Sequence, residues 1–199
     1  MEKKNILLIN GHPDKESFNQ LITERYIETA TSFDVNVRSL MLRELDFDPN
    51  LKYGYRKRME LEPDLLKALD HILWSDHLVW VHPLWWWSYP ALMKGFIDRL
   101  FLPGIGFASV GDGSYKKLFS GKTARIISTG DTPEKDYEEQ FKRSAFLQLK
   151  EGTLEFCGIA PVYTTYISPI YRVPKEQLDV YLQRVSAVAA EDIRMLSVK

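Results

Sequence analysis

His77-Leu78-Val79-Trp80-Val81-His82-Pro83-Leu84-Trp85-Trp86-Trp87-Ser88-Tyr89-Pro90-Ala91-Leu92-Met93-Lys94-Gly95-Phe96-Ile97-Asp98-Arg99 carries a strand signal, a loop signal and a helix signal in one run. Its start is a short apolar segment of the kind buried on both faces of a parallel sheet. Pro83 ends that segment, because proline has no N–H for a ladder. Pro90 then opens a helical pattern to Phe101, where the missing N–H of a first-turn proline costs nothing. Four of the five tryptophans lie between Trp80 and Trp87. So much aromatic surface in a loop reads either as a wall for a planar ring or as core and dimer-interface packing. Three consecutive side chains cannot all point one way, so Trp85, Trp86 and Trp87 cannot all line one ligand.

Working outward, the same alternation recurs. Asn5-Ile6-Leu7-Leu8-Ile9-Asn10 is a continuous apolar run broken by Gly11-His12-Pro13-Asp14. Ser17-Phe18-Asn19-Gln20 has the form of a capping box, with Phe18, Leu21, Ile22 and Tyr26 following at helical spacing. Val35, Val37 and Leu40 make a weaker second strand. Met41 to Glu62, with the basic run Arg56-Lys57-Arg58, reads as a long surface excursion, and Leu61 to Trp74 as a helix. Beyond the opening stretch, Pro103 to Lys122 is glycine-rich and reads as loop. Thr123 to Thr129 is a fourth strand, and a helix carrying Phe146, Leu147, Leu149, Leu154 and Phe156 follows it. Val162 to Ile167 is a fifth strand, and a last helix runs on from Pro174.

Five strands alternating with helices imply a three-layer α/β sandwich around a mostly parallel sheet. No repeat or linker divides the chain, so residues 1–199 are expected to form one domain. In such sheets ligands bind outside the carboxyl ends of the strands. Three loops then matter: the one after Asn10, the one after His82 and the one after Thr129.

Bulk properties exclude several classes. A net charge of -1 gives no electrostatic case for nucleic acid or an anionic membrane. Cys157 is the single cysteine, which excludes an internal disulfide and a multi-cysteine metal site and fits a reducing compartment. The chain opens without an apolar signal region, and no apolar stretch is an uninterrupted membrane span, so a cytoplasmic protein is expected. His12, His71, His77 and His82 show no zinc spacing, no metal site is expected, and no nucleophile elbow surrounds a serine. In the first loop a helix N-terminus with Ser17 and Asn19 reads as a phosphate site or as an ordinary capped turn. In the third, Gly130 would let backbone approach a ligand and Thr129 would donate to it.

Gly11-His12-Pro13 with Ser17-Phe18-Asn19, and Pro83 through Arg99, resemble the phosphate loop and the isoalloxazine loop of the flavodoxin-like NAD(P)H:quinone oxidoreductases, the DT-diaphorase family. Phe107-Ala108 and Phe156-Cys157-Gly158 are similar to its later segments. The resemblance implies a flavodoxin-like fold with strand order 2-1-3-4-5 and a homodimer with flavin sites at the subunit interface. It implies that His12, Ser17, Phe18 and Asn19 hold the flavin phosphate region. Pro83, Leu84, Trp85, Trp86 and Trp87 would wrap the ring, and Thr129 and Gly130 would complete the pocket. The implied cofactor is FMN, with FAD as the alternative; the reductant is NADPH or NADH and the acceptor a quinone or similar small molecule. Asp131 stands where the family has a second glycine, and no histidine follows His82, which leaves Tyr137 as the catalytic candidate. The chain resembles the shorter bacterial members, some of which act beside potassium-efflux transporters. The alternatives are therefore a regulatory flavoprotein with a membrane transporter partner and a flavodoxin-type electron carrier; the carrier is disfavoured by a phosphate loop poor in Thr and Gly.

Overall fold

The computed structural model describes residues 3–197; of the expected domain 1–199, the two residues at each end lie outside the described residues. Five parallel strands form the central sheet: β1 (Lys4–Asn10), β2 (Val35–Met41), β3 (His77–Pro83), β6 (Thr123–Thr129) and β7 (Val162–Ile167), in the order β2-β1-β3-β6-β7. This is the expected 2-1-3-4-5 order; the two extra numbers belong to a small antiparallel hairpin, β4 (Phe107–Ser109) with β5 (Tyr115–Lys117). The hairpin lies inside the stretch read as loop, because three-residue strands carry too little alternation to show a period.

Alternation along each strand builds two cores. Leu7, Ile9, Leu78, Trp80, Ala124 and Ile126 face one side, where α2 (Pro63–Trp74) and α3 (Ala91–Leu100) cover them. Ile6, Leu8, Val79, Val81, Ile127 and Ile167 face the other, under α1 (Phe18–Thr31) and α6 (Lys175–Ser197). Every residue of β3 and β6 is buried, which is why both read as continuous runs. On the second face Arg125 and Asp192 form a buried pair, with Nη2 and Oδ1 2.6 Å apart. The Tyr26 hydroxyl donates to the same carboxylate at 3.0 Å.

The excursion between β2 and α2 is tied down by the packing of Leu42 and Phe47 on the core and by a cluster of hydrogen bonds around one residue. The fully buried Arg99 donates to the carbonyls of Asp48 and Glu60 and to both carboxylate oxygens of Glu62. After β6 the expected single helix is three pieces: α4 (Glu134–Phe141), α5 (Ser144–Phe146) and a π-helix over Leu147–Glu155. Lys142 and Arg143, both at φ 51, make the corner between α4 and α5.

Register places the three loops side by side. Asn10 pairs with Val81, and Pro83 pairs with Thr129, so the ends of β1, β3 and β6 lie at one edge of the sheet. The chain leaves β1 toward β2 and returns on the other side as β3, which makes that edge the topological switch point.

Candidate functional site

The first loop presents donors. Ser17 caps α1 with extended backbone, yet its side chain makes no capping bond. The expected capping box does not form: Gln20 Nε2 donates to Glu24, and Gln20 Oε1 accepts from Arg43. Ser17 Oγ is buried without a partner, and the N–H groups of Ser17, Phe18 and Asn19 meet no acceptor among the described residues. A buried hydroxyl and three N–H groups at the start of a 14-residue helix are the complement of an anion. His12 closes the loop. Its Nδ1 accepts from Asp14 N–H at 3.0 Å, and burial pushes its pKa below the ordinary value, so the neutral ring keeps its proton on Nε2. Its edge meets Trp85, with ring centroids 5.6 Å apart.

Trp85, Trp86, Trp87 and Ser88 form a tight two-residue turn. Trp85 N–H donates to Ser88 O at 2.8 Å and Ser88 N–H returns the bond to Trp85 O at 3.0 Å. The central residues sit at φ 50 and φ 61, as in a type I′ turn, whose favoured occupants are Asn and Gly. Left-handed backbone at two bulky residues costs about 1–3 kcal/mol each and persists only where the surroundings impose it. The turn leaves the N–H groups of Trp86 and Trp87 without an acceptor among the described residues. The three rings part company, as consecutive side chains must. Trp85 is 45% exposed, Trp86 is 96% exposed, and Trp87 stacks on Phe141 of its own chain at 3.3 Å between centroids.

Thr129 joins the loops. Its Oγ1 accepts from Asn19 Nδ2 at 2.9 Å, and its carbonyl accepts from Leu84 N–H at 2.6 Å. Asn10 adds a second tie, donating to the Asn19 carbonyl and to Thr23 Oγ1. Between the second and third loops lies a cleft of about 240 Å³ lined by Leu84, Trp86, Trp87, Asp131 and Thr132. A larger cavity of about 350 Å³ begins beside the turn at Tyr89 and Gln148 and includes Lys94, Phe107, Phe156 and Cys157. Burial pushes the Cys157 thiol up to about 11, which fits the core role its sequence context implies.

The structure brings His12, Ser17, Phe18, Pro83, Leu84, Trp85, Trp86 and Trp87 to this one edge. Phe18 packs toward Tyr181 of α6, with ring centroids 6.5 Å apart. Three expected contributors act from behind. Asn19 is buried with its amide committed to Thr129, so it holds the third loop to the first. Gly130 gives its N–H to Ile167 O at 3.1 Å, and a Cβ there would collide with the Tyr166 hydroxyl, so its smallness serves packing. Tyr137 is 0% exposed, and its hydroxyl accepts from Ala145 N–H at 3.0 Å, with burial raising its pKa. It meets the site only through its ring, which lies near-parallel to Trp87 at 6.0 Å.

Sequence reasoning passed over Asp131 as a holding group. Its Oδ1 accepts from the N–H groups of Ile170 and Tyr171, fixing the loop after β7 against the third loop. Ser144 and Gln148 were missed as well. Ser144 Oγ donates to Trp87 O, and Ser88 Oγ donates to Gln148 Oε1, each at 2.8 Å. Nothing local in the sequence marks those two; only tertiary packing brings them to the turn. Among the described residues no group of three metal-ligating side chains is gathered, and no helix is long and apolar enough to cross a membrane.

Comparison with known proteins agrees with this architecture. A family model described as a flavodoxin-like fold matches residues 4–189. A Haemophilus influenzae protein named as an NAD(P)H oxidoreductase is 29% identical over 162 residues, covering 79% of this chain and 80% of that protein. The Mus musculus ribosyldihydronicotinamide dehydrogenase [quinone] is 27% identical over 184 residues, covering 79% and 78%. Among solved structures, Smu.1420 from Streptococcus mutans UA159 superposes with a TM-score of 0.81 at 31% identity, covering 93% of this chain and 98% of that one. The NAD(P)H:quinone oxidoreductase from Methanothermobacter marburgensis shares the fold, with a TM-score of 0.81 at 18% identity and 94% and 98% coverage.

Proposed function

This chain belongs to the flavodoxin-like fold family, and from that premise we propose that it is a flavin-dependent NAD(P)H oxidoreductase that reduces quinones or similar acceptors. One observation carries the reading. Two sets of unpaired donors lie at the switch-point edge, Ser17 to Asn19 on the first loop and Trp86 and Trp87 on the second, the latter pair lining a cleft with Leu84, Asp131 and Thr132. Such a pair of donor sets suits a ligand with an anionic group at one end and a flat ring with polar edges at the other. The names of the relatives from Haemophilus influenzae and Mus musculus support the same chemistry.

A bound flavin would supply the redox chemistry, two-electron transfer from NADPH or NADH to a quinone, with one proton from solvent completing the hydroquinone. The residues of the chain bind and orient. Ser17 Oγ and the three N–H groups at the start of α1 hold the phosphate, with His12 Nε2–H as a neutral donor beside them. The Trp86 and Trp87 N–H groups offer fixed dipoles to the ring edge, where negative charge is best stabilised by donors that need no rearrangement. Pro83 and Leu84 set the height of that edge through Leu84 N–H and Thr129 O. Tyr137 supports the Trp87 ring, and its buried hydroxyl serves Ala145. We take FMN as the cofactor, with FAD as the alternative. A second copy of the chain is the partner we assign to the aromatic group Phe107, Tyr115 and Phe156, whose rings lie 5.0–5.6 Å apart with Tyr115 and Phe156 exposed.

Purified protein is expected to be yellow, to bleach with NADPH or NADH without oxygen, and to recover its colour on addition of a quinone. Mass measurement of the released cofactor separates FMN from FAD. Protein that takes up no flavin on reconstitution overturns the proposal, and flavin that is reduced only one electron at a time without NAD(P)H turnover moves the assignment to an electron carrier.

A further inference from the structure

The strained turn does not stand alone. Among the described residues, five that are not glycine have positive φ, and four of them flank one hydrogen bond: Trp86 and Trp87 on one side, Lys142 and Arg143 on the other. That bond runs from Ser144 Oγ to Trp87 O. The Trp87–Ser88 peptide is thereby clamped on both edges, since its N–H, on Ser88, donates to Trp85 O. The Ser88 side chain is held in turn by Gln148, in the first turn of the π-helix. The corner that aims Ser144 is itself pinned, because Arg143 Nη2 contacts Glu134 and Glu138 at 3.0 and 3.2 Å. A π-helical run is rare and recurs at functional sites. Here Gln148 lies in that run and Ser144 in the short α5 just before it, and the two polar side chains, four residues apart, both meet the turn.

We infer that Ser144 and Gln148 are positioning residues that hold the Trp86–Trp87 turn in its left-handed conformation and so fix its two free N–H groups at the cleft. This rests on the flavin reading for its consequence, but not for its geometry. With the brace removed, the Trp87–Ser88 peptide keeps one anchor of two, and the turn is free to relax toward ordinary φ. The donors at the ring edge then lose their fixed direction. Fixed donors favour the more negative ring, so their loss makes bound flavin harder to reduce.

The test uses Ser144→Ala, Gln148→Ala and the pair, with Ser144→Thr and Gln148→Glu as variants that keep the donor and the acceptor. Three readouts are taken on each: the flavin dissociation constant, the midpoint potential of bound flavin against reference dyes, and the near-ultraviolet circular dichroism of flavin-free protein, which reports tryptophan environment. The alanine pair is expected to weaken flavin binding about tenfold, the scale of one or two lost hydrogen-bond contributions, to lower the midpoint potential, and to flatten the tryptophan signal. Ser144→Thr is expected to restore all three, and Gln148→Glu, whose added charge itself lowers the potential, to restore the tryptophan signal. Wild-type affinity and potential in the alanine pair overturn the inference. If the pair is too unstable to purify, Gln148→Ala alone decides, by a changed or unchanged potential. If wild-type protein binds no flavin, the functional proposal fails by itself, and the tryptophan signal of flavin-free protein still decides the brace: lost in the alanine pair supports it, unchanged overturns it.

Discussion

At the scale of single residues, two hydroxyls that look alike in the sequence have opposite standing. Ser17 Oγ is buried and bonds nothing in the protein, so its removal takes little from the fold. Ser17→Ala is expected to leave the melting temperature within about 1 °C while weakening flavin binding about tenfold or more, as one hydrogen bond to a charged group is worth about 1.5–3 kcal/mol. Fluorescence titration of flavin against both proteins checks this, and unchanged affinity would place the phosphate elsewhere. Tyr137 is the reverse case. Its hydroxyl satisfies Ala145 N–H in the core, and Tyr137→Phe leaves that donor buried and unpaired. A loss of about 1–3 kcal/mol in stability is expected, with kcat kept within about threefold. A hundredfold drop in kcat at unchanged stability would instead make the hydroxyl catalytic. The sequence carried no sign of this difference, because both hydroxyls are buried near a strand-end loop and only the presence or absence of a hydrogen-bond partner separates them.

Among the elements, those with long, regular patterns were readable from sequence and those fixed by distant contacts were not. β3 and β6 appeared as apolar runs because helices cover both their faces. The apolar face of Pro63–Trp74 reads from sequence as Leu65, Leu66, Leu69, Ile72 and Leu73; Leu65 and Ile72 are buried together with Ala68, while Leu66 and Leu73 are exposed. The segment after β6 was misjudged because its corner rests on Lys142 and Arg143, residues that favour helix and adopt left-handed backbone only under tertiary constraint. The excursion from Met41 to Glu62 reads as free surface in sequence but is tethered at Arg99, whose charge alternation along α3 gives no hint of its burial. Arg99→Met is expected to destabilise by about 2–4 kcal/mol, at the lower end of a broken buried pair because Glu62 is partly exposed. Trypsin is then expected to cut faster at Arg56-Lys57-Arg58, since the excursion loses its tie to α3. Cleavage at the wild-type rate would mean that Leu42 and the packing around it hold the segment unaided.

For the whole molecule, the candidate site and the buried charges occupy opposite ends of the sheet, and each end has its own response to acid. His82 sits in β3 next to Pro83, wholly buried, with Nδ1–H donating to Pro83 O at 2.9 Å and Nε2 unpartnered. Burial depresses its pKa to about 4. The unfolded chain therefore binds a proton at this residue near pH 6.5 while the folded protein refuses it until about pH 4. Its contribution to stability is full above 6.5 and falls as pH drops through that window, by about 3 kcal/mol at about 1.36 kcal/mol per unit. His12 and His71, also shifted down by burial, add to the same slope. At the other end, Asp192 is held below the ordinary carboxylate range by His77, whose Nε2 lies 3.6 Å away, and by hydrogen bonds from Arg125, which outweigh the opposing and largest effect, burial. That contribution is present above about pH 4 and is lost only in stronger acid. Thermal melts from pH 7 to pH 4 separate the two ends. For a chain of this size about 2–4 °C accompanies each kcal/mol, so His82→Gln, which keeps a donor for Pro83 O, is expected to remove about 6–12 °C of the wild-type decline across that range. Asp192→Asn is expected to lower the melting temperature at pH 7 and to leave the slope between pH 6.5 and 4 as it was. Identical slopes for wild type and His82→Gln would mean that the ring is hydrated in the folded protein and that the edge of the sheet beneath the tryptophan turn is open to water.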